Sequence, residues 1–117
     1  MVKVRNTIVA NNTGGNCDTP IASNAFSLSS DGSCGFGIGR DNVIIQLMGL
    51  YNTGGFAPTH LPYAGSPAVD NASLLYCPAA DQRGVLRPKG AGCDVGAVER
   101  IPGGELVPVA FLPIVRR

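Results

Sequence analysis

The sequence predicts an all-β chain of brief parallel strands, wound as the last coils of a solenoid and closed by a disulfide-stapled loop. Three observations carry that expectation. Sixteen glycines and nine prolines in 117 residues, with few Glu, Lys or Gln, describe short strands joined by tight turns. Apolar runs around Ile8, Leu28 and Met48 recur 20 residues apart, a spacing within the range of solenoid repeats. The four cysteines fall into two local pairs, Cys17 with Cys34 and Cys77 with Cys93.

The first coil is Thr7-Ile8-Val9, a β-branched run bracketed by Asn6 and Asn11. Asparagine tolerates left-handed backbone and bonds its own backbone at turns. Asn6, Asn11 and Asn24 are therefore candidates for turn positions that stack from coil to coil. The second coil offers Ile21, Phe26 and Leu28 and ends in Ser29-Ser30-Asp31-Gly32; the third is NVIIQLMGL, Asn42 to Leu50. A single rung cannot bury its apolar face, so residues 1–50 are read as the last stacked coils, with the first rung presenting a pairable edge.

From Tyr51 the texture changes. Pro58, Pro62 and Pro67 each remove a ladder donor, so residues 51–101 read as a loop-rich C-terminal cap ending in the short strand Val95 to Val98. Residues 102–117 read as a linker, PGGE, and an apolar tail, LVPVAFLPIV, ending in Arg116-Arg117. Ten apolar residues broken by Pro108 and Pro113 are too few to span a bilayer and suit a sorting or anchoring segment.

Charge and cysteine usage narrow the function classes. A net charge of +1, with 15% charged residues, gives no footprint for nucleic acid or an acidic membrane. Aromatics at 6% and no Trp leave no platforms for stacking bases. Neither cysteine pair forms a C-x-x-C, which argues against a thiolate zinc site. Two local disulfides would each contribute about 3 kcal/mol by loop-closure entropy and imply an extracellular or cell-surface location. Four reduced, buried thiols in a cytoplasmic protein are the competing reading. No secretory signal opens the sequence. An exported protein would then have this chain as the C-terminal portion of something longer.

NTIVANNTGGNC, DGSCGFG, NTGG followed by PTHLP, GSPAVD and CPAADQRGVLRPKGAGCDVGAVE occur in that order over roughly residues 5 to 99. Together they resemble the C-terminal part of bacterial choice-of-anchor Q domain proteins, most specifically in the D-Q-R-G-V-x-R-P core and the C-D-x-G-A-x-E ending. The resemblance implies the final coils of a right-handed parallel β-helix, pectin-lyase-like, in a secreted or surface-displayed protein. It brings no established enzymatic activity and no cofactor.

Candidate chemistry is sparse. His60, the single histidine, lies in PTHLP without a G-x-S-x-G elbow anywhere, so it reads as a turn histidine held by a backbone bond. GFGIG, Gly35 to Gly39, lacks the G-K-[ST] of a phosphate loop. Asp18, Asp31, Asp41, Asp70, Asp81 and Asp94 are scattered beside turn residues or a cysteine and read as turn caps, with no Asp-Asp or Asp-x-Asp pair for acid–base work or calcium. Asp81, Arg83, Arg87, Asp94 and Glu99 crowd the second cysteine loop. They are read as ion-pair candidates ordering a cap, with Arg83 or Arg87 meeting Asp81 or Asp94.

These observations lead to a non-catalytic structural or display module at the end of a β-helix, with an adhesion-related role. Its expected partners are upstream coils of a longer chain, a second copy meeting the exposed first coil, or a cell-surface carbohydrate. The alternative is a remnant of a pectin-lyase-like carbohydrate-active enzyme that binds or cleaves polysaccharide through coils absent here.

Overall fold

The computed structural model describes residues 2–102. It contains four short strands: β1 (Ile8–Val9), β2 (Leu28–Ser29), β3 (Leu47–Tyr51) and β4 (Thr59–Pro62), followed by a 3₁₀ turn at Leu74–Tyr76. β1 and β2 are parallel, with Ile8 opposite Leu28 and Val9 opposite Ser29. Lys3 bridges Ser23 in the same sense, so the 20-residue spacing read from the sequence appears here as a register.

The parallel β-helix is not formed. The strands make two separate two-stranded sheets, one parallel and one antiparallel, and most of the described chain is coil. Met48 does not extend the parallel stack; it lies in β3, which folds back antiparallel onto β4 with Leu47 opposite Pro62 and Tyr51 opposite Thr59. The backbone gives the reason. Asn42 and Gln46 both adopt left-handed φ, 55° and 59°, which turns the third apolar run out of the direction of β1 and β2. NTGG then supplies a turn across which the chain pairs with its near neighbour, at a lower loop-closure cost than another full coil.

The three asparagines likewise bond to backbone and hydroxyl groups and not to one another. Asn6, left-handed at φ 48°, donates to Ser73 O at 3.0 Å and accepts from Ser73 N at 2.8 Å. Its side chain thus substitutes for a strand partner. Asn11 N donates to the Ser30 hydroxyl, and Asn24 bonds Ile21 O and Gly35 O.

The main core is small: Leu28, Ile45, Ala68 and Val95, flanked by Ile8, Val43 and Leu47. It draws on both sides of Tyr51. Leu61 and Val98 form a second cluster with Met48 and Tyr51 under the hairpin. So few buried aliphatics leave a domain of this size marginal, and two disulfides brace it. Cys17–Cys34 and Cys77–Cys93 both form, with Cα separations of 5.0 and 6.3 Å. Bridges of this kind in a small domain point to an oxidising environment. Among the described residues no helix is long and apolar enough to cross a membrane. The tail assigned to sorting or anchoring lies, from Gly103 onward, outside the described residues.

Candidate functional site: a buried charge network and the cleft beside it

The second cysteine loop is organised by two tight turns. In DQRGV, Asp81 Oδ1 accepts from Arg83 N at 2.7 Å and Val85 N at 3.0 Å, the geometry of an Asx turn. Gly84, at φ 87°, takes the left-handed position that a Cβ would oppose. In CDVGAVE, the chain doubles back so that Glu99 Oε1 accepts from Asp94 N at 2.9 Å.

These turns bring all five charged candidates together. Asp81 pairs with Arg83 Nε and Glu99 with Arg87 Nη1, each at 3.1 Å, and the four side chains are at most 4% exposed. Arg83 reaches on to Thr53 O at 3.1 Å and Glu99 O at 2.7 Å. Arg87 donates to Asp94 O at 2.9 Å and Gly96 O at 2.8 Å. Arg87 Nε is buried without a hydrogen-bond partner among the described residues, whereas the carboxylates are fully engaged. Asp81 Oδ2 also accepts from Glu99 N at 2.8 Å, and Glu99 Oε2 from Lys89 N at 3.2 Å. Asp94 forms no ion pair with either arginine among the described residues; its oxygens accept from Asp70 N at 2.8 Å and Arg100 N at 2.7 Å.

From the sequence Asp70 reads only as a turn aspartate and Arg100 carries no signal, because their bonds to Asp94 run across 24 and 6 positions. With Glu99, Asp70 and Asp94 bring carboxylate oxygens within 4.8 Å of one another. That cluster is invisible to a search for Asp-x-Asp. Its effect falls on Asp94: burial pushes its carboxyl above the ordinary value, and the charges of Glu99 and Asp70 add to this against the two N–H bonds it accepts. Asp81 goes the other way. Burial also works to raise it, but the backbone N–H groups of Glu99, Val85 and Arg83, with the Arg83 charge, hold it below. Asp31 is lowered by the Ser33 hydroxyl and backbone N–H, and by Asn16 and Ser29.

Stability should therefore depend on pH in two stages. A carboxyl raised in the folded state favours folding once protonated, so the melting temperature should rise slightly as pH falls from neutrality through the Asp94 titration. Carboxyls depressed in the folded state stabilise above their unfolded value, so stability should then fall as pH drops through the folded values of Asp81 and Asp31. Calorimetric melting from pH 7 to pH 2 would read this profile; a decline beginning at neutrality would contradict the Asp94 assignment.

Beside the network lies a cleft of about 710 Å³. It runs between β1, the β3–β4 hairpin and the Val95–Val98 segment. Gly96, on its lining, donates to Asn6 O at 2.7 Å. Gly96 stands at φ 102°, a backbone conformation that side chains rarely adopt, and a Cβ there would also press on Ile8 Cδ1 at 2.9 Å. His60, on the cleft wall, is fixed by Met48 O at 2.8 Å. Because a carbonyl only accepts, Nδ1 carries the hydrogen there. No family model, curated protein or solved structure matches the chain.

Proposed function

We propose that the chain is a non-catalytic structural module of a protein exported to an oxidising compartment, a stapled end-piece that serves display at the cell surface. One observation carries the reading. The Asp81 and Glu99 side chains have no solvent exposure, and every one of their carboxylate oxygens is engaged by N–H donors within the fold. A general acid or base needs its proton within reach of a substrate. Acceptors turned inward onto backbone N–H groups serve instead to order coil that has no ladder of its own. The two disulfides support an extracytoplasmic setting, and the resemblance to choice-of-anchor Q proteins supports a role in display.

Fractionating the native cells, followed by thiol alkylation and mass spectrometry, tests this. Both cysteine pairs should be oxidised, and the protein should be recovered outside the cytoplasm. Recovery from the cytoplasm with four alkylated thiols would overturn the proposal.

A further inference from the structure

Within the second cysteine loop, residues 89–91 are exposed and the chain there is tied down at two points. Lys89 N donates to Glu99 Oε2 at 3.2 Å, and Gly92 N donates to Asp70 Oδ1 at 3.2 Å. A Cβ at Gly90 would stand 2.7 Å from that same oxygen, so the loop lies directly on the Asp70 carboxylate. Asp70 is thus the acceptor that fastens the Gly92 end.

The fastening group faces like charge. Asp70, Asp94 and Glu99 bring carboxylate oxygens within 4.8 Å of one another. The cations nearby are committed elsewhere. Arg87 is bound to Glu99 and to the carbonyls of Asp94 and Gly96, and Arg100 Nη1 to Pro62 O at 3.0 Å. Lys89 is exposed, and neither Asp70 nor Asp94 forms an ion pair among the described residues. Arg87 answers Glu99, which leaves Asp70 and Asp94 as the unanswered pair. The two differ in freedom. Asp94 is 1% exposed and pinned by the N–H groups of Asp70 and Arg100, whereas Asp70 is exposed and can turn to water. Repulsion between neighbouring carboxylates is relieved by a proton on one of them or by moving one away.

We propose that Asp70 and Asp94 form a proton-dependent latch on residues 89–92. With Asp94 protonated, Asp70 stays inward and holds Gly92 N; when Asp94 gives its proton to solvent, Asp70 turns outward and the loop opens. Burial first, then the charges of Glu99 and Asp70, favour the proton on Asp94 against its two N–H bonds. The latch would make the surface beside the second disulfide responsive to acidity. It belongs to the fold in any compartment, so its failure leaves the structural-module reading untouched.

Amide hydrogen exchange in ¹⁵N spectra of the full chain, corrected for the intrinsic rate at each pH, tests the proposal. As pH rises, protection of Gly92 should fall about fivefold or more, the scale of one like-charge contact in a largely aqueous setting. The fall should share its midpoint with the ¹³C carboxyl resonance of Asp94. Asp70→Asn keeps an oxygen acceptor and suits the left-handed φ of 57° at this position, so the variant should fold with its loop closed. It should lose the pH dependence at Gly92 and move the Asp94 midpoint to lower pH. Gly92 protection that stays flat through the Asp94 titration would overturn the latch, as would an Asp70→Asn profile matching that of the parent protein.

Discussion

Glu99→Ala is expected to remove most of the folding stability. The change leaves the Arg87 guanidinium buried without its carboxylate and strips the acceptor from Asp94 N and Lys89 N. Breaking a buried ion pair from one side costs about 3–5 kcal/mol, and stranded buried donors add to it. Against a total near 5–15 kcal/mol for a natural domain, a coil-rich fold with so small a core has little to spare. Glu99→Gln keeps the shape and one carbonyl acceptor but turns an amide N–H toward another donor, so its loss should be intermediate. Urea unfolding followed by far-UV circular dichroism measures both variants. A Glu99→Ala unfolding free energy within about 1 kcal/mol of the parent protein's would show that the network does not hold the fold.

The second large effect is expected from the bridge that closes this loop. Replacing Cys77 and Cys93 with serine should cost about 2–5 kcal/mol. Cys17 and Cys34 enclose a segment of similar length, 17 against 16 positions, so loop-closure entropy alone predicts nearly equal losses for the two bridges. The surroundings separate them. Both bridges have one fully buried sulfur, Cys34 and Cys93, but Cys93 alone adjoins Asp94, whose N–H Glu99 accepts. The Cys77–Cys93 change and Glu99→Ala should accordingly be non-additive by more than about 0.5 kcal/mol. The Cys17–Cys34 change shares no partner with Glu99 and should add to it. Equal additivity for both bridges, measured by chemical denaturation of the double variants, would remove the idea that staple and network act as one unit.

Local features of this fold were readable in the sequence. The pairing of each cysteine with its near neighbour follows from spacing, and Asp81 to Gly84 reads as a turn from residue type. His60 is held by a backbone carbonyl as its surroundings suggest, but it stands in strand β4 and not in a turn, and its partner Met48 lies 12 positions away. The register between β1 and β2 was present in the 20-residue spacing of Ile8 and Leu28. What that spacing could not reveal is that it stops there. Two left-handed residues, Asn42 and Gln46, redirect the chain, and glutamine carries no sequence signal for such a conformation. The choice of partners within the charged loop was equally hidden. Glu99 is held by donors 5, 10 and 12 positions away, and Asp94 by Asp70 and Arg100. Those contacts arise from how the coil is folded, and no periodicity along the chain encodes them. The sequence showed that charge gathers near Cys77 and Cys93, but not which oxygen meets which N–H.

The reciprocal bonds of Asn6 have a consequence for biogenesis. Residue 6 is completed by Ser73, 67 positions later, and by Gly96 near the end of the described chain. A polypeptide made or threaded through a pore from its amino end cannot close these contacts until most of its length has emerged. The leading segment waits meanwhile with its edge and apolar side chains open to other chains. Contacts this distant also make the final closure slower than in a domain built from neighbouring hairpins, which lengthens the time the emerging chain spends incomplete.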